Sequence, residues 1–334
     1  MMSIKDIARL AGVSPSTVSR VINEKKYVKP ELRERIMAVV RETGYVPSHA
    51  ARSMVLKRSF TVGIVIPYAF NMFQRQLFAI IERQLETHGY HTLFFFAKWD
   101  PEQELQTLRR LKSENLDGVI MLHEVIHPDF YAYLAHAPMP VVLCTFDRGN
   151  LACPSVHVDE EAAARDATAH LIGLGHRRIG FIAGSHFSFA AQRAAGYRAA
   201  LQAGGIAYDE SLVAIVPSYS AEDGLAGMRE LLSRGTGLSA VFSTTDELAI
   251  GAMRAIFEAG LRVPQDVSVV GFDDIDVSAY LAPGLTTVAQ PIEEIGRNTA
   301  EVMSRLISGE AYGDLSAVYG HRLVVRESTL PHRG

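Results

Sequence analysis

From Phe60 onward, short apolar runs alternate with segments of helical periodicity, and this alternation constrains the fold most. The runs are TVGIVI (61–66), TLFFF (92–96), GVIML (118–122), VVLC (141–144), RIGFIAG (178–184), SAVFS (239–243) and VSVVGFD (267–273). Helical patterns fall between them, near 74–88, 101–115, 160–174, 190–204, 221–234 and 247–260. Runs that are apolar throughout suit strands covered on both faces, which is the environment of a parallel sheet flanked by helices. There are too many for one compact sheet of usual size, so the pattern predicts an α/β body of two lobes with a cleft between them.

Composition bears on what such a body can be. At 48% hydrophobic and 21% charged residues the chain is neither disordered nor fibrous. It has no apolar run of the roughly 18 residues needed to cross a membrane, and MMSIKDIARL lacks the apolar centre of a secretory signal. A cytoplasmic protein with no membrane partner is expected. Cys144 and Cys153 are the only cysteines and neither lies in a CxxC, so free thiols are expected rather than a zinc site or a disulfide. The chain carries no P-loop, GxSxG, GxGxxG or metal-ligand cluster. No catalytic residue, cofactor or metal is expected, and the reading is of a non-enzyme.

Charge separates the first 58 residues from the rest. They hold 12 Lys/Arg against 5 Asp/Glu, whereas the remainder holds 21 against 32. A basic head on an acidic body points to a polyanionic partner for the head alone. Residues 3–43 read as three short helices. Ile4, Ile7, Ala8 and Ala11 share a face, Gly12 makes a turn, and Ser14 followed by Pro15 is a helix start. Pro30 opens a third helix in which Ile36, Val39 and Val40 share a face, and Gly44 closes it. The second helix, SPSTVSRVI, begins with small polar residues, with Val18, Val21 and Ile22 on its other side. This is a helix-turn-helix pattern, whose second helix must be slim and polar to enter a major groove.

IKDIARLAGVSPSTVSRVIN followed by GYVP resembles the DNA-binding head of the lactose-repressor (LacI/GalR) family of bacterial transcription regulators. HLIGLGHRRIGFIAG, RAAGYRAAL, DELAIGAMRAI, DVSVVGFDDID, PGLTTVAQP and RLVVREST resemble landmarks of its ligand-binding domain, in order, so the resemblance spans essentially the whole chain. It implies a helix-turn-helix head over 1–46 and a hinge over 47–59. It also implies a periplasmic-binding-protein-like body over 60–334, with lobe 1 about 60–159 and 291–320, and lobe 2 about 160–290 and 321–330.

Under that resemblance Pro15, Ser16 and Arg20 take base-reading positions. Arg20 has independent support, because its fork matches the O6 and N7 of guanine. Pro15 has no donor and is limited to apolar contact. Ser14, Thr17, Ser19 and Asn23 match phosphate-contact or capping positions, and Ser3 and Lys5 approach the backbone. In the hinge, SHAARSMVL is too short to be a stable isolated helix. Ser48, His49, Ala51 and Met54 are expected at the DNA, with Met54 where the family places a wedge that unstacks a base step from the minor groove. The alternative is a flexible basic tether. A marginal helix is also a switch, since its folding is lost for a few kcal/mol.

The resemblance places a small-molecule effector between the lobes, most naturally a sugar or sugar derivative. Arg193 in QRAAGY and Asp273 in GFDD match the family's ligand-binding arginine and aspartate, a pair suited to sugar hydroxyls. Phe73, Phe146, Phe187, Phe189 and Tyr219 fall near pocket-lining positions, where aromatic faces stack on sugars, although core packing explains any one of them nearly as well. Gln74, Thr145, His157 and Thr245 are candidate polar contacts. LCTFDRGN aligns two ways, with either Thr145 or Asp147 in the cleft. Phe187 and Phe189 stand where purine-binding relatives carry polar residues, which argues against a purine.

The function this implies is a sequence-specific DNA-binding regulator, a repressor in the family's usual mode, whose affinity for a pseudo-palindromic operator of double-stranded DNA is controlled by the effector. The alternatives are a solute-binding protein without a regulatory role and a sugar-active α/β enzyme. The family implies a homodimer, and RESTLPHRG shows no leucine heptads for a coiled-coil tetramer.

Overall fold

The computed structural model describes residues 2–22, 28–45, 58–68, 71–147, 149, 151–185, 188–311, 313 and 315–332. They form two compact units, Met1–Phe60 and Thr61–Gly334.

The first unit contains α1 (Ile4–Leu10), α2 (Pro15–Ile22) and α3 (Pro30–Thr43). Ser3 starts α1 through a capping box. Its hydroxyl accepts the Asp6 N–H at 3.3 Å, while the Asp6 carboxylate accepts the Ser3 N–H at 3.0 Å. Gly12 makes the turn at φ +64°, a conformation that costs glycine nothing. Ser14 then accepts the Thr17 N–H at 3.2 Å, and Pro15 opens α2 where its missing donor is not needed. The core is small: Ile7, Ala8, Ala11, Val18, Val21 and Ile36 are buried, with Ile22, Val39 and Val40 packed partly against them.

The second unit begins with β1 (Thr61–Pro67), α4 (Met72–Thr87), β2 (His91–Ala97), α5 (Pro101–Ser113), β3 (Gly118–Met121), α6 (Pro128–Ala135), β4 (Val141–Cys144) and β5 (Ser155–Val158). It continues with α7 (Glu160–Gly173), β6 (Ile179–Gly184), α8 (Ser188–Ala203), β7 (Val213–Val216), α9 (Ala221–Ser233), β8 (Ala240–Ser243), α10 (Asp246–Glu258) and β9 (Ser268–Asp273). It closes with β10 (Thr286–Ala289), α11 (Ile292–Ile307), β11 (Ala317–Tyr319) and β12 (Arg322–Val324).

Two six-stranded sheets result. One has the order β11-β5-β4-β3-β1-β2 and the other β12-β10-β9-β8-β6-β7. In the first, every pairing is parallel. The second departs from an all-parallel expectation at one edge, where β12 runs antiparallel to β10. The cause is connectivity. β11 ends at Tyr319 on the side where all the parallel strands end, and β12 begins only three residues later, at Arg322. A strand that starts at that end must run back the other way.

The chain passes between the sheets at Asp159, at Gln290–Pro291 and at Gly320–His321, all on this same side. The cleft therefore lies at the carboxyl ends of both sheets, where open α/β folds bind ligands. Each sheet is buried by helices on its faces, and β1, β3, β4, β6, β8, β9 and β10 are almost wholly inaccessible. In lobe 2, α9 and α10 touch backbone to backbone. A Cβ on Gly251 would strike the Ala221 carbonyl, and one on Gly224 would strike the Leu248 carbonyl. Cys144 and Cys153 are buried and form no disulfide, and burial pushes the Cys144 thiol up to about 12, which keeps it in the thiol form. Among the described residues no helix is long and apolar enough to cross a membrane.

Candidate functional site

In the first unit, α2 turns Val18 and Val21 into the core and leaves Ser14, Pro15, Ser16 and Arg20 exposed. The Ser14 hydroxyl lies 2.8 Å from both the Ser16 and the Thr17 hydroxyls, which orders the first turn. Thr17 and Ser19 are half-buried. Ser3 and Lys5 are exposed at the start of α1, and the Ser3 hydroxyl donates to Asp6 at 2.7 Å. Asn23 and the hinge positions Ser48, His49, Ala51 and Met54 lie outside the described residues.

In the second unit, the carboxyl ends of the two sheets bring together Asn71 capping α4, Phe73 and Gln74 from α4, Thr145 after β4, Glu160 from α7, Phe189 and Arg193 from α8, Thr245 before α10, Asp273 from β9, and Gln290 after β10. These side chains enclose about 20 Å³, room for one water-sized molecule.

Arg193 is the centre. It is 3% exposed. Its Nε donates to Glu160 Oε2 at 2.7 Å, and one terminal nitrogen donates to the Thr244 carbonyl. The other terminal nitrogen lies 3.8 Å from Asp273 Oδ1. The guanidinium carbon sits 3.5 Å from the Phe272 ring centroid and 4.5 Å from that of Phe189, so two aromatic rings hold the guanidinium. Asp273 also accepts from Gln290 Nε2 at 2.8 Å. Burial raises the Asp273 carboxyl well above the usual range, and the Arg193 charge pulls against that. Its φ of +116° and the +74° of Thr145 are left-handed backbone at two cleft-lining residues.

Beneath the cleft, Asp246 ties three segments of lobe 2 together. It accepts from the Thr287 hydroxyl at 2.5 Å, the Ser278 hydroxyl at 2.7 Å and the Ile275 N–H at 3.0 Å. Burial pushes its carboxyl up to about 7. Gly271 is required beside it, because a Cβ there would strike Asp246 Oδ1. At the rim, each lobe clasps a helix start of the other. Glu124 of lobe 1 accepts from the Ser188 N–H at 2.9 Å and its hydroxyl at 2.6 Å, and Glu247 of lobe 2 accepts from the Met72 N–H at 2.9 Å.

Of the sequence candidates, the cleft gathers Phe73, Gln74, Thr145, Phe189, Arg193, Thr245 and Asp273. Thr145 lines it, whereas Asp147 is mostly exposed, 4.0 Å from His157 Nε2. Phe146, His157 and Tyr219 are not among the lining residues. Phe146 packs on the lobe 1 core. His157 is held by Nδ1 on the Val158 carbonyl at 2.9 Å. Tyr219 fills the space that the missing side chain of Gly184 leaves, and its hydroxyl donates to the Gly184 carbonyl at 3.1 Å. Phe187 lies outside the described residues. Asn71, Glu160 and Gln290 were not singled out in sequence. Asn71 had a signal, the cap-and-Gln spacing of a capping box with Gln74, which the structure forms at 2.8 and 3.1 Å. Glu160 follows the cap residue Asp159 in an acidic first turn, a setting usually solvated.

A slim polar helix exposed on a small basic head, in one chain with a two-lobed receptor, defines a class: DNA-binding regulators that carry their own small-molecule sensor. Comparison with known proteins agrees. Residues 3–48 match the model of bacterial regulatory proteins of the lacI family, and residues 168–329 match the periplasmic binding protein-like domain. The chain is 33% identical over 330 residues to the ribose operon repressor of Haemophilus influenzae, covering 98% of each. It is similar to the structure of the transcriptional regulator CelR–cellobiose complex, with TM-score 0.74 and 33% identity over 98% of this chain and 100% of that one. It is also similar to the lac repressor dimer bound to operator and the anti-inducer ONPF, with TM-score 0.88 and 28% identity over 98% and 99%. The chain belongs to the lacI family of bacterial regulatory proteins, and it is a DNA-binding transcriptional regulator.

Proposed function

We propose that this regulator is a cytoplasmic, non-catalytic repressor that binds a pseudo-palindromic operator as a homodimer and releases or tightens on it according to a sugar held between its lobes. The observation that carries this reading is the buried Arg193, bonded to Glu160 and opposite Asp273 at the carboxyl ends of the sheets, with amides, hydroxyls and the Phe73 and Phe189 rings around them. A guanidinium and a carboxylate supply donors and acceptors at once to vicinal hydroxyls, and the rings offer apolar faces. The similarity to a cellobiose-bound regulator and to a ribose operon repressor supports a sugar.

The enclosed 20 Å³ supplies the coupling. A binding cleft for a small organic molecule needs about 300 Å³ or more, so a sugar enters only if the lobes part or shift. The first strand of lobe 1, β1, follows the linker directly, so that movement reaches the head through residues 47–59. In this account residues 47–59 act as the hinge, Met54 contacts the minor groove, and the base readers are Pro15, Ser16 and Arg20. Two protomers related by a two-fold axis read two half-sites.

Anisotropy titration of labelled operator DNA with the full chain, with and without ribose or cellobiose, tests this. The proposal requires an operator affinity that a cleft-binding sugar changes. Equal affinity for every DNA sequence, unaffected by any sugar, overturns it.

A further inference from the structure

We propose that the effector of this regulator carries no negative charge, and that Glu160 enforces this by occupying Arg193 from within the protein. The inference rests on the reading that the cleft binds an effector, and it narrows the chemistry to neutral, hydroxyl-rich molecules while excluding sugar phosphates and sugar acids.

A family of sugar-like effectors includes anions, and a buried arginine is the usual receptor for one, because its fork pairs with phosphate or carboxylate. Here part of that fork is already taken. Of the five N–H donors of Arg193, the Nε donor goes to Glu160 at 2.7 Å and one terminal donor to the Thr244 carbonyl. Asp273 faces the other terminal nitrogen at 3.8 Å. Glu160 and Arg193 are each about 3% exposed in their side chains, so water screens little of their attraction. Arg193 is the one cationic side chain among the described residues lining the cleft, against the carboxylates of Glu160 and Asp273. The rim adds two more acidic side chains, Glu124 and Glu247, both half-buried, and burial pushes their carboxyls toward the neutral form. Arg75, near Glu247, is exposed. An anion entering this cleft meets the buried Glu160 carboxylate and a cation whose Nε donor is already committed to it.

The remaining lining groups suit an uncharged ligand. Gln290 is spent partly on Asp273, and Asn71 and Gln74 use their oxygens on each other's backbone. Their amide nitrogens and the Thr145 hydroxyl can serve hydroxyl groups of a ligand without charge. Glu160 is thus a specificity-determining residue that works through Arg193.

Inorganic phosphate is the direct probe, with ribose, ribose 5-phosphate, cellobiose and gluconate as companions, read by isothermal titration and by thermal shift of the full chain. The wild type is expected to show no saturable phosphate, ribose 5-phosphate or gluconate binding in the cleft. Glu160→Gln keeps an acceptor for Nε but removes the charge, and is expected to tighten phosphate binding by about tenfold or more. That gain should vanish in Glu160→Gln/Arg193→Gln, which assigns it to the cleft. Saturable, Arg193-dependent binding of phosphate or a sugar phosphate to the wild type overturns the proposal. So does a folded Glu160→Gln that gains nothing. If Glu160→Gln unfolds, the wild-type comparison of ribose with ribose 5-phosphate decides alone: a preference for the phosphate refutes the inference. Failure of the effector reading has a different signature, in which the phosphate gain in Glu160→Gln is present yet no cleft ligand changes DNA affinity.

Discussion

Glu247 accepts a hydrogen bond from the Met72 N–H at 2.9 Å, so a carboxylate of lobe 2 caps the first turn of a lobe 1 helix. Glu124 does the reverse for Ser188. A carboxylate at a helix start satisfies an otherwise orphaned donor and meets the positive end of the helix dipole. The two clasps share no partner. Glu124→Ala and Glu247→Ala are each expected to lower stability by about 0.5–2 kcal/mol, and the double variant by the sum. Urea denaturation followed by the body's circular dichroism measures this. A double variant no worse than either single one would show that the clasps are one unit.

Asp246 gives stability a pH dependence. Burial pushes its carboxyl from 3.8 up to about 7, so the folded state holds the proton more tightly than the unfolded state. The stability its neutral form contributes is full below pH 3.8 and is lost as pH rises through about 7. Within that window the loss runs at about 1.4 kcal/mol per pH unit. Asp246→Asn should flatten the slope between these limits. Denaturation midpoints at a series of pH values check it, and an unchanged slope would assign the titration elsewhere.

Gly251 lets α10 lie against α9. Gly251→Ala puts a methyl group into the Ala221 carbonyl, a contact that backbone must move to relieve. The expected loss is about 1–3 kcal/mol of stability in the body, visible as a lowered melting temperature. Gly12→Ala in the head meets no atom, and its cost comes from φ +64° alone.

How far the sequence could be read follows from these sites. The strand–helix alternation was legible because buried parallel strands are apolar in one run, and seven such runs became strands. β12 was not legible, because its antiparallel direction follows from where β11 ends, which no local pattern shows. α6 escaped because eight residues with only Phe130 and Leu134 buried make a weak period. α11 has a good period, with Ile295, Thr299, Val302, Met303 and Leu306 buried, but starts without a side-chain cap. In the cleft, Arg193 and Asp273 were recognisable from their motifs. Glu160 was not, since its burial depends on α8 crossing α7, and adjacent Glu161 looks the same in sequence but is exposed.

In the head, Arg20 is exposed on α2 while Val18 and Val21 are buried. Arg20→Ala should lose about 1–3 kcal/mol of discrimination at one base pair in each half-site, with non-specific binding little changed. Competition binding with operators altered one base pair at a time resolves this. Equal weakening on all sequences would make Arg20 a phosphate contact.

The most direct test of the account is operator affinity measured against effector concentration for the wild type and for Arg193→Ala. Operator is selected from random DNA by the protein itself, and the sugar is one shown by titration to bind the wild-type chain. The account predicts that the sugar changes wild-type operator affinity by about fivefold or more, and that Arg193→Ala binds operator normally but no longer responds. Operator binding that ignores a sugar seated in the cleft, or an Arg193→Ala response equal to the wild type's, would contradict it.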